Sequence, residues 1–303
     1  KGKWRPLPSG DGQRLSLRAS SNGAYYQNYN MSFTEPWLGG RKPTSLQVSL
    51  YRSVSSNGLI NDERQEIQVS GLTLGIGQRL KNPDDYFTLY NGLNFVQYKL
   101  NNSQSFFSFR NGESNNVNYN INIGRNSVDQ LNFPRQGSNF LFSLKLSPPY
   151  SMFDNVDDYS KLTDQEKYEW VEYYKWKFKA TWFSPFTDKL VLATRTEFGF
   201  LGAYNEELGI SPFERFYVGG DGLSGMGYMN DGRELVSLRG YSNNSISPQT
   251  GATIYNKYTA ELRYALSLNP SSTMYALAFV EAGNAWEKFD NFNPFGVKRT
   301  VGI

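Results

Sequence analysis

The sequence contains neither cysteine nor histidine among its 303 residues. Without cysteine there is no disulfide framework and no thiol nucleophile, and without histidine there is no catalytic triad that uses imidazole as its base. Zinc sites built from histidine or cysteine ligands are excluded as well. We therefore predict that the chain is not an enzyme and that it holds no metal or cofactor.

A long apolar run is also missing, although 39% of the residues are hydrophobic and 16% are aromatic. A membrane-spanning helix needs about 20 apolar residues in succession, so the sequence predicts none. Membrane-spanning β-barrels instead alternate apolar and polar residues, which reconciles a mean hydropathy of -0.57 with a membrane location. A soluble all-β domain is the alternative interpretation.

Neither sign of charge dominates, since 31 basic and 28 acidic residues give a net charge of +3. Such a balance does not favour a nucleic-acid partner. The first residues, Lys1 to Trp4, lack the apolar segment of a secretory signal. For an exported protein we therefore expect that the signal has been removed or lies outside the sequence.

Apolar residues alternate with polar ones in many segments, which is the pattern of a β-strand with one apolar face. A clear example is the row Val117, Tyr119, Ile121 and Ile123. A second row runs from Tyr174 to Trp182 and has three lysines on its other face, at Lys175, Lys177 and Lys179. These lysines need water or counter-charges.

The segment from Ile67 to Ile76 departs from this regularity. Ile67 and Val69 stand at odd positions, whereas the apolar residues that follow, from Leu72 to Ile76, stand at even ones. In a regular strand the two sets would lie on opposite faces. A β-bulge near Ser70 and Gly71 would bring all of them onto one face, so we predict a bulge there.

Short turns and long polar loops alternate along the chain. The short turns lie at 36–43, 81–85, 133–138, 184–189 and 269–272, and the long loops at 55–64, 101–116, 148–171, 204–253 and 287–297. Outer-membrane barrels have short periplasmic turns and long extracellular loops, whereas a soluble sandwich has no reason to segregate them. The sequence therefore predicts an all-β fold, a transmembrane antiparallel β-barrel of which about twelve strands are present.

The longest connection, residues 204–253, carries the tetrapeptide Leu238-Arg239-Gly240-Tyr241. The segment Glu214-Arg215-Phe216-Tyr217-Val218-Gly219-Gly220 precedes it. Together they resemble the signature loop of the outer-membrane assembly barrels, the superfamily that contains BamA, TamA and the two-partner secretion transporters. The alternative is an ordinary solvated loop, because short strings such as Arg-Gly-Tyr also occur by chance.

The resemblance implies a sixteen-stranded barrel behind periplasmic POTRA domains. Residues 1–303 would then form part of one outer-membrane barrel domain, from the third strand to the fourteenth. The connection 204–253 would be the sixth extracellular loop, inserted into the lumen. We expect the POTRA domains and the two strands at the seam of the barrel to lie outside the sequence.

In the superfamily, the arginine of the tetrapeptide lies inside the barrel against acidic residues of the next two strands. The matching acids are Glu261 and Glu281. Alternation places Glu261 on the polar face of its strand. Glu281 instead shares parity with the apolar residues from Tyr275 to Phe279, so either these side chains pack on the inserted loop or a bulge intervenes.

Two weaker resemblances lie at strand ends. The segments Phe33-Thr34-Glu35-Pro36-Trp37 and Phe133-Pro134-Arg135-Gln136-Gly137 resemble turns of the superfamily. From residue types alone, both segments end strands with proline, and the second also with glycine. We predict that Trp37 and Phe133 are interfacial aromatic residues at the rim of the barrel.

The resemblance implies a protein that inserts and folds outer-membrane β-barrel proteins, as the central barrel of an assembly machine whose substrates pair at a lateral seam. Expected partners are nascent outer-membrane proteins, accessory lipoproteins or other subunits, and the lipid bilayer. The expected location is the outer membrane of a Gram-negative bacterium. The segment Phe33–Trp37 and the long loop segment 219–234 resemble BamA more closely and favour this role. The alternatives are a two-partner secretion transporter and a passive porin whose constriction loop carries arginine and glutamate.

Overall fold

The structure, a computed structural model, describes residues 12–40, 44–103, 108–154, 156, 158–222, 233–269 and 271–303. Residues 223–232 of the loop segment 219–234 lie outside this description. Twelve strands form one sheet. They are β1 Arg14–Asn22, β2 Tyr26–Glu35, β3 Thr44–Ser56, β4 Glu66–Arg79, β5 Phe87–Asn101, β6 Gly112–Asn126, β7 Gly137–Leu146, β8 Tyr174–Pro185, β9 Leu190–Gly202, β12 Ile254–Asn269, β13 Ser272–Trp286 and β14 Lys298–Gly302, and a separate short pair consists of β10 Phe216–Val218 and β11 Glu234–Val236.

The order of the strands in the sheet follows their order in the chain, so β9 pairs directly with β12 across the long connection. All pairs of this sheet are antiparallel. Successive side chains of a strand point to opposite faces, so a period of two in the sequence gives the sheet two different surfaces. The predicted all-β antiparallel architecture and the number of strands are confirmed.

Helical segments of the described chain lie in two of the long connections. The connection between β7 and β8 has two 3-10 helices and one α-helix, and the connection between β13 and β14 has one 3-10 helix; they are Tyr150–Met152, Tyr159–Lys161, α1 Asp164–Lys167 and Phe289–Asn291. Thr163 caps α1 through a capping box with Glu166. Within the described residues, no helix combines the length and the apolar character that crossing a membrane requires.

Strand β8 shows how alternation divides the sheet into an outward and an inward face. Tyr174 and Trp182 are exposed on the outward face, whereas Lys175 is buried on the inward one. Each inward lysine of β8 has a carboxylate at a distance between 2.7 and 3.5 Å. The prediction that these lysines need counter-charges is therefore confirmed.

The predicted bulge near Ser70 and Gly71 is wrong. β4 pairs with both of its neighbours in continuous register. Ile67 and Val69 are buried on the inward face, and the later apolar residues up to Ile76 point outward. The inward face of β4 is apolar at this end because it packs on described residues of the connection 204–253, which we call the inserted loop.

The main hydrophobic core lies between the inserted loop and the inward face of the sheet. Its loop members are Phe213, Phe216, Val218, Val236, Leu238, Ile246 and Ala252, and its other members include Ile67, Val69, Tyr98, Leu100, Leu201 and Tyr255. The rings of Phe213 and Tyr98 stack with centroids 4.4 Å apart. Each large apolar side chain buried in this way contributes about 1.5 to 3 kcal/mol. The loop is thus held against the sheet by burial as well as by polar contacts.

The two aromatic residues predicted at the rim have different positions. Trp37 is exposed, as a rim residue should be, but Phe133 is only 1% exposed. Phe133 lies in a small core with Val191 and Ala265, and its ring centroid is 5.3 Å from that of Tyr275 in β13. The prediction for Phe133 is therefore wrong, because the turn between β6 and β7 packs this ring against residues of β9, β12 and β13.

Candidate functional site

The inserted loop contains a short parallel sheet that joins its two distant halves. Phe216 of β10 pairs with Glu234 of β11, and Val218 pairs with Val236. β10 begins two residues after Glu214, and β11 ends two residues before Leu238 of the tetrapeptide. The two sequence features that carried the resemblance are therefore adjacent in space.

Two glycines after β10 allow the chain to turn against the tetrapeptide. Gly219 has a φ of 128° and Gly220 a φ of 90°, values that residues with a side chain rarely adopt. The Gly219 N–H donates to the carbonyl of Val236 at 2.9 Å, and the Gly220 N–H donates to that of Tyr241 at 3.1 Å. These bonds fix the position of the residues between Val236 and Tyr241.

Three residues of the tetrapeptide place the fourth, Arg239. Leu238 is completely buried in the core. Gly240 has a φ of 84°, which turns the chain immediately after the arginine. The hydroxyl of Tyr241 donates to the carbonyl oxygen of Arg299 in β14 at 2.9 Å. The arginine side chain is therefore presented to the strands that follow the loop.

Arg239 binds both acidic residues named from the resemblance. Its Nη2 lies 2.7 Å from Glu261 Oε1 and 2.7 Å from Glu281 Oε1, and its Nε donates to Glu281 Oε1 at 3.0 Å. Its backbone N–H donates to Glu281 Oε2 at 2.9 Å. We call this group of three residues the Arg239 anchor. It joins the loop to β12 and β13 by charge-assisted hydrogen bonds, which are the strong class of hydrogen bond.

Other inward side chains surround the two carboxylates. Lys257 Nζ lies 3.2 Å from Glu281 Oε1, and Arg263 Nε donates to Glu261 Oε2 at 3.0 Å. The side chains of Glu281 and Glu261 are only 2% and 9% exposed, so their charges need these partners. Sequence reasoning did not assign Lys257 or Arg263 to the site. The signal was available, because both alternate with outward residues on the strand that carries Glu261.

The parity of Glu281 with its apolar neighbours has a packing explanation. β13 runs from Tyr275 to Glu281 in continuous register with β12, and the register shift lies beyond this stretch, between Ala265 and Ser267. The guanidinium carbon of Arg239 lies 3.6 Å from the centroid of the Phe279 ring. The first alternative is therefore the right one for Phe279, which packs on the inserted loop.

The arrangement can attach the inserted loop to β12 and β13. It contains carboxylates paired with basic groups and an aromatic ring under a cation, which together attach a loop to a wall. Within the part of the chain that the structure describes, no three side chains of the metal-ligating types come together.

Comparison with known proteins gives the class of protein. Residues 9–300 match the model of the Omp85 superfamily domain. The chain therefore belongs to the Omp85 superfamily. Among the curated proteins, no sequence matches it.

Two solved structures are similar to this chain in fold. One is the crystal structure of BamA from Haemophilus ducreyi lacking POTRA domains 1-3, with 20% identity, a TM-score of 0.69 and 97% of this chain covered. The other is CdiB from Escherichia coli, with 15% identity, a TM-score of 0.50 and 91% covered. The predicted transmembrane β-barrel fold is thereby confirmed, and family and fold together imply an outer-membrane protein.

This chain spans only part of the length of both structures, 58% of the BamA chain and 45% of the CdiB chain. The assignment of residues 1–303 to the third to fourteenth strands stays a prediction. The same holds for POTRA domains and seam strands outside the sequence.

Proposed function

We propose that this chain is the central barrel of a machine that inserts and folds outer-membrane β-barrel proteins. The observation that carries the proposal is the Arg239 anchor, in a chain whose fold is similar to that of BamA. Its partners would be nascent outer-membrane proteins, accessory lipoproteins or other subunits, and the bilayer of a Gram-negative outer membrane. We propose no enzymatic activity, no cofactor and no nucleic-acid partner.

The mechanism would be mechanical. Arg239 holds the inserted loop against β12 and β13, and the core under the loop holds it against β4 and β5. One wall of the barrel is thereby stiffened, so that opening is confined to a distant seam. A nascent strand would pair with the unpaired edge at that seam by β-augmentation, and folding of the substrate would supply the free energy.

The experiment compares Arg239→Ala with Arg135→Ala in the full-length protein. Arg135 is a matched control because its nearest carboxylate, that of Asp129, lies 3.6 Å away in an exposed turn. We expect Arg239→Ala to slow the folding of an outer-membrane substrate into proteoliposomes, while Arg135→Ala behaves as the wild type. Equal and negligible effects of the two variants would contradict the proposal.

A two-partner secretion transporter is the second candidate, and the similarity to CdiB favours it. Such a protein would thread a partner polypeptide through the lumen, so the inserted loop would have to leave its position during transport. This alternative would be favoured if the full-length protein secretes a partner polypeptide and its removal leaves the assembly of other outer-membrane proteins unchanged.

A further inference from the structure

The inserted loop has a second set of ionic contacts, away from Arg239. The carboxylate of Glu214 lies 3.2 Å from Lys145 Nζ and 2.9 Å from Lys175 Nζ. Lys175 Nζ also donates to the carbonyl oxygen of Glu214 at 2.7 Å. One loop residue is therefore bound through its side chain and its backbone to two neighbouring strands, β7 and β8.

Lys175 also binds the other half of the inserted loop. Lys175 Nζ lies 2.7 Å from Glu234 Oε2, and Lys177 Nζ lies 2.7 Å from Glu234 Oε1. Charges of opposite sign thus alternate in the order Lys145, Glu214, Lys175, Glu234 and Lys177. We call these five residues the Glu214 anchor. It attaches both strands of the short sheet in the loop, since Glu214 precedes β10 and Glu234 begins β11.

The central residues of the Glu214 anchor are deeply buried. The side chain of Lys175 is 1% exposed and that of Glu214 is 12% exposed. Burial alone would raise the pKa of the Glu214 carboxyl, but the ammonium groups of Lys145 and Lys175 lower it below its usual range. The carboxylate is therefore charged while the loop is docked, and undocking would separate it from both ammonium groups.

The backbone at Glu214 is a second, independent observation. Its φ is 67°, in the left-handed region that a residue with a long side chain rarely adopts. Such a conformation persists only where surrounding contacts hold it, and the contacts here are the two lysines and the core residue Phe213 beside it. The chain is bent at this point in a way that aims the carboxylate at β7 and β8.

The two anchors bind different parts of the sheet. The Glu214 anchor lies on β7 and β8, the Arg239 anchor on β12 and β13, and β9 runs between these two pairs of strands. Ionic contacts on both sides fix the loop across these strands, whereas without the Glu214 anchor only the core contacts would hold the loop once Arg239 is released.

We propose that the Glu214 anchor holds the inserted loop independently of Arg239, so that the loop is a strut across β7 to β13. Lys175 and Glu214 are then positioning residues. The inference deepens the proposed function, because it specifies which strands of the wall move as one unit. The use of a docked loop rests on the proposed function. Docking itself does not, since it can be measured without any substrate.

The absence of cysteine permits a direct test with single-cysteine reporters. Ser211→Cys replaces a buried residue near Glu214, and Leu238→Cys replaces a buried residue beside Arg239. Ser271→Cys, in an exposed turn, gives the labelling rate of a free thiol. The full-length protein in nanodiscs is treated with a maleimide, and each reporter is combined with Arg239→Ala, Lys175→Met or both.

We expect Arg239→Ala to accelerate labelling of the Leu238→Cys reporter about tenfold or more through local opening, while the Ser211→Cys reporter stays protected. Lys175→Met should accelerate labelling of the Ser211→Cys reporter. Only the double variant should bring both reporters close to the rate of the Ser271→Cys reporter. If Arg239→Ala alone exposes the Ser211→Cys reporter as fully as the double variant does, the loop is a flap with one fastening and the inference is overturned.

Two controls separate the effect on the loop from general misfolding. Lys179→Met removes a cation from the same face of β8 whose partner, Glu197, belongs to β9 and not to the loop, so both reporters should stay protected. A folded barrel changes its electrophoretic mobility when it is heated. If Lys175→Met no longer shows this change, Glu214→Gln is used in its place. A protected Ser211→Cys reporter in folded Glu214→Gln would also overturn the inference. Failure of the substrate-folding assay with an unchanged labelling pattern would instead count against the proposed function.

Discussion

The two anchors of the inserted loop differ in burial and in the kind of basic group they use. At the Arg239 anchor, one guanidinium with a side chain 27% exposed bridges two carboxylates on β12 and β13. At the Glu214 anchor, the ammonium of Lys175 is almost completely enclosed and shared between two loop carboxylates. The enclosed groups are thus the two carboxylates at the Arg239 anchor, 9% and 2% exposed, and one lysine at the Glu214 anchor, whose outer residues are 26 to 32% exposed. The comparison indicates that buried charge of opposite sign holds the loop on its two sides.

The largest effect is expected from Lys175→Met. The substitution keeps most of the length of the side chain but removes a cation that Glu214 and Glu234 share in a buried position, so folded stability should fall by about 3 to 5 kcal/mol. The measurement is urea-induced unfolding of the protein refolded into lipid vesicles. Lys179→Met is the matched control on the same strand face. A loss no larger than that of the control would show that the buried lysine does not set the difference between the anchors.

Acid pH should weaken the Glu214 anchor next. Because the folded pKa of Glu214 is depressed, its ionic stabilisation is fully present above the unfolded value of about 4.3 and is lost as pH falls further toward the folded pKa. The midpoint of thermal unfolding should therefore fall below that pH, and it should fall less in Glu214→Gln. An identical pH profile for both proteins would contradict the assignment.

A smaller effect is expected from Gly240→Ala at the Arg239 anchor. Gly240 has a φ of 84°, so a side chain there strains the backbone that aims the arginine. The expected loss of stability is about 1 to 2 kcal/mol. Unfolding in urea measures it, and Gly296→Ala is a control at a glycine without a positive φ. If both variants lose equal stability, the turn after Arg239 has no special role.

The smallest effect is expected at an ion pair outside both anchors. Lys99 and Glu113 lie 2.6 Å apart on β5 and β6, with side chains 55% and 47% exposed. Exposed pairs of this kind contribute about 0 to 1 kcal/mol, so Lys99→Ala should be close to neutral in the same unfolding measurement. A loss as large as that of Lys175→Met would mean that burial does not distinguish the ion pairs of this protein.

The sequence predicted the strands well because alternation is a local property of the chain. Each of the rows around Val117 and Tyr174 lies on a strand, and the inward lysines of β8 have the counter-charges that their alternation required. The acids at 261 and 281 could be named in advance because the tetrapeptide and the two following strands keep a fixed order in the superfamily. No part of that reasoning needed the position of the loop.

The sequence was misleading wherever the inserted loop or a turn covers a surface. Ile67 and Val69 suggested a bulge, and Phe133 suggested a rim residue, because parity and turn chemistry do not reveal what lies opposite a side chain. In the structure, the loop core covers the first two residues, and strands β9, β12 and β13 cover the third. The Glu214 anchor was missed for the same reason, since its members come from two strands and both halves of the loop.

The sequence by itself therefore determined the all-β class, the number of strands, the division of each strand into two faces and the candidate Arg239 site. Only the tertiary structure decided which end of the inward face is apolar, where Glu281 points and how the lysines of β8 are used. The physical reason is that a strand's alternation depends on neighbours two residues away. The partners of an inward side chain depend instead on a connection of about fifty residues folding back onto the sheet, a contact that local pattern does not encode.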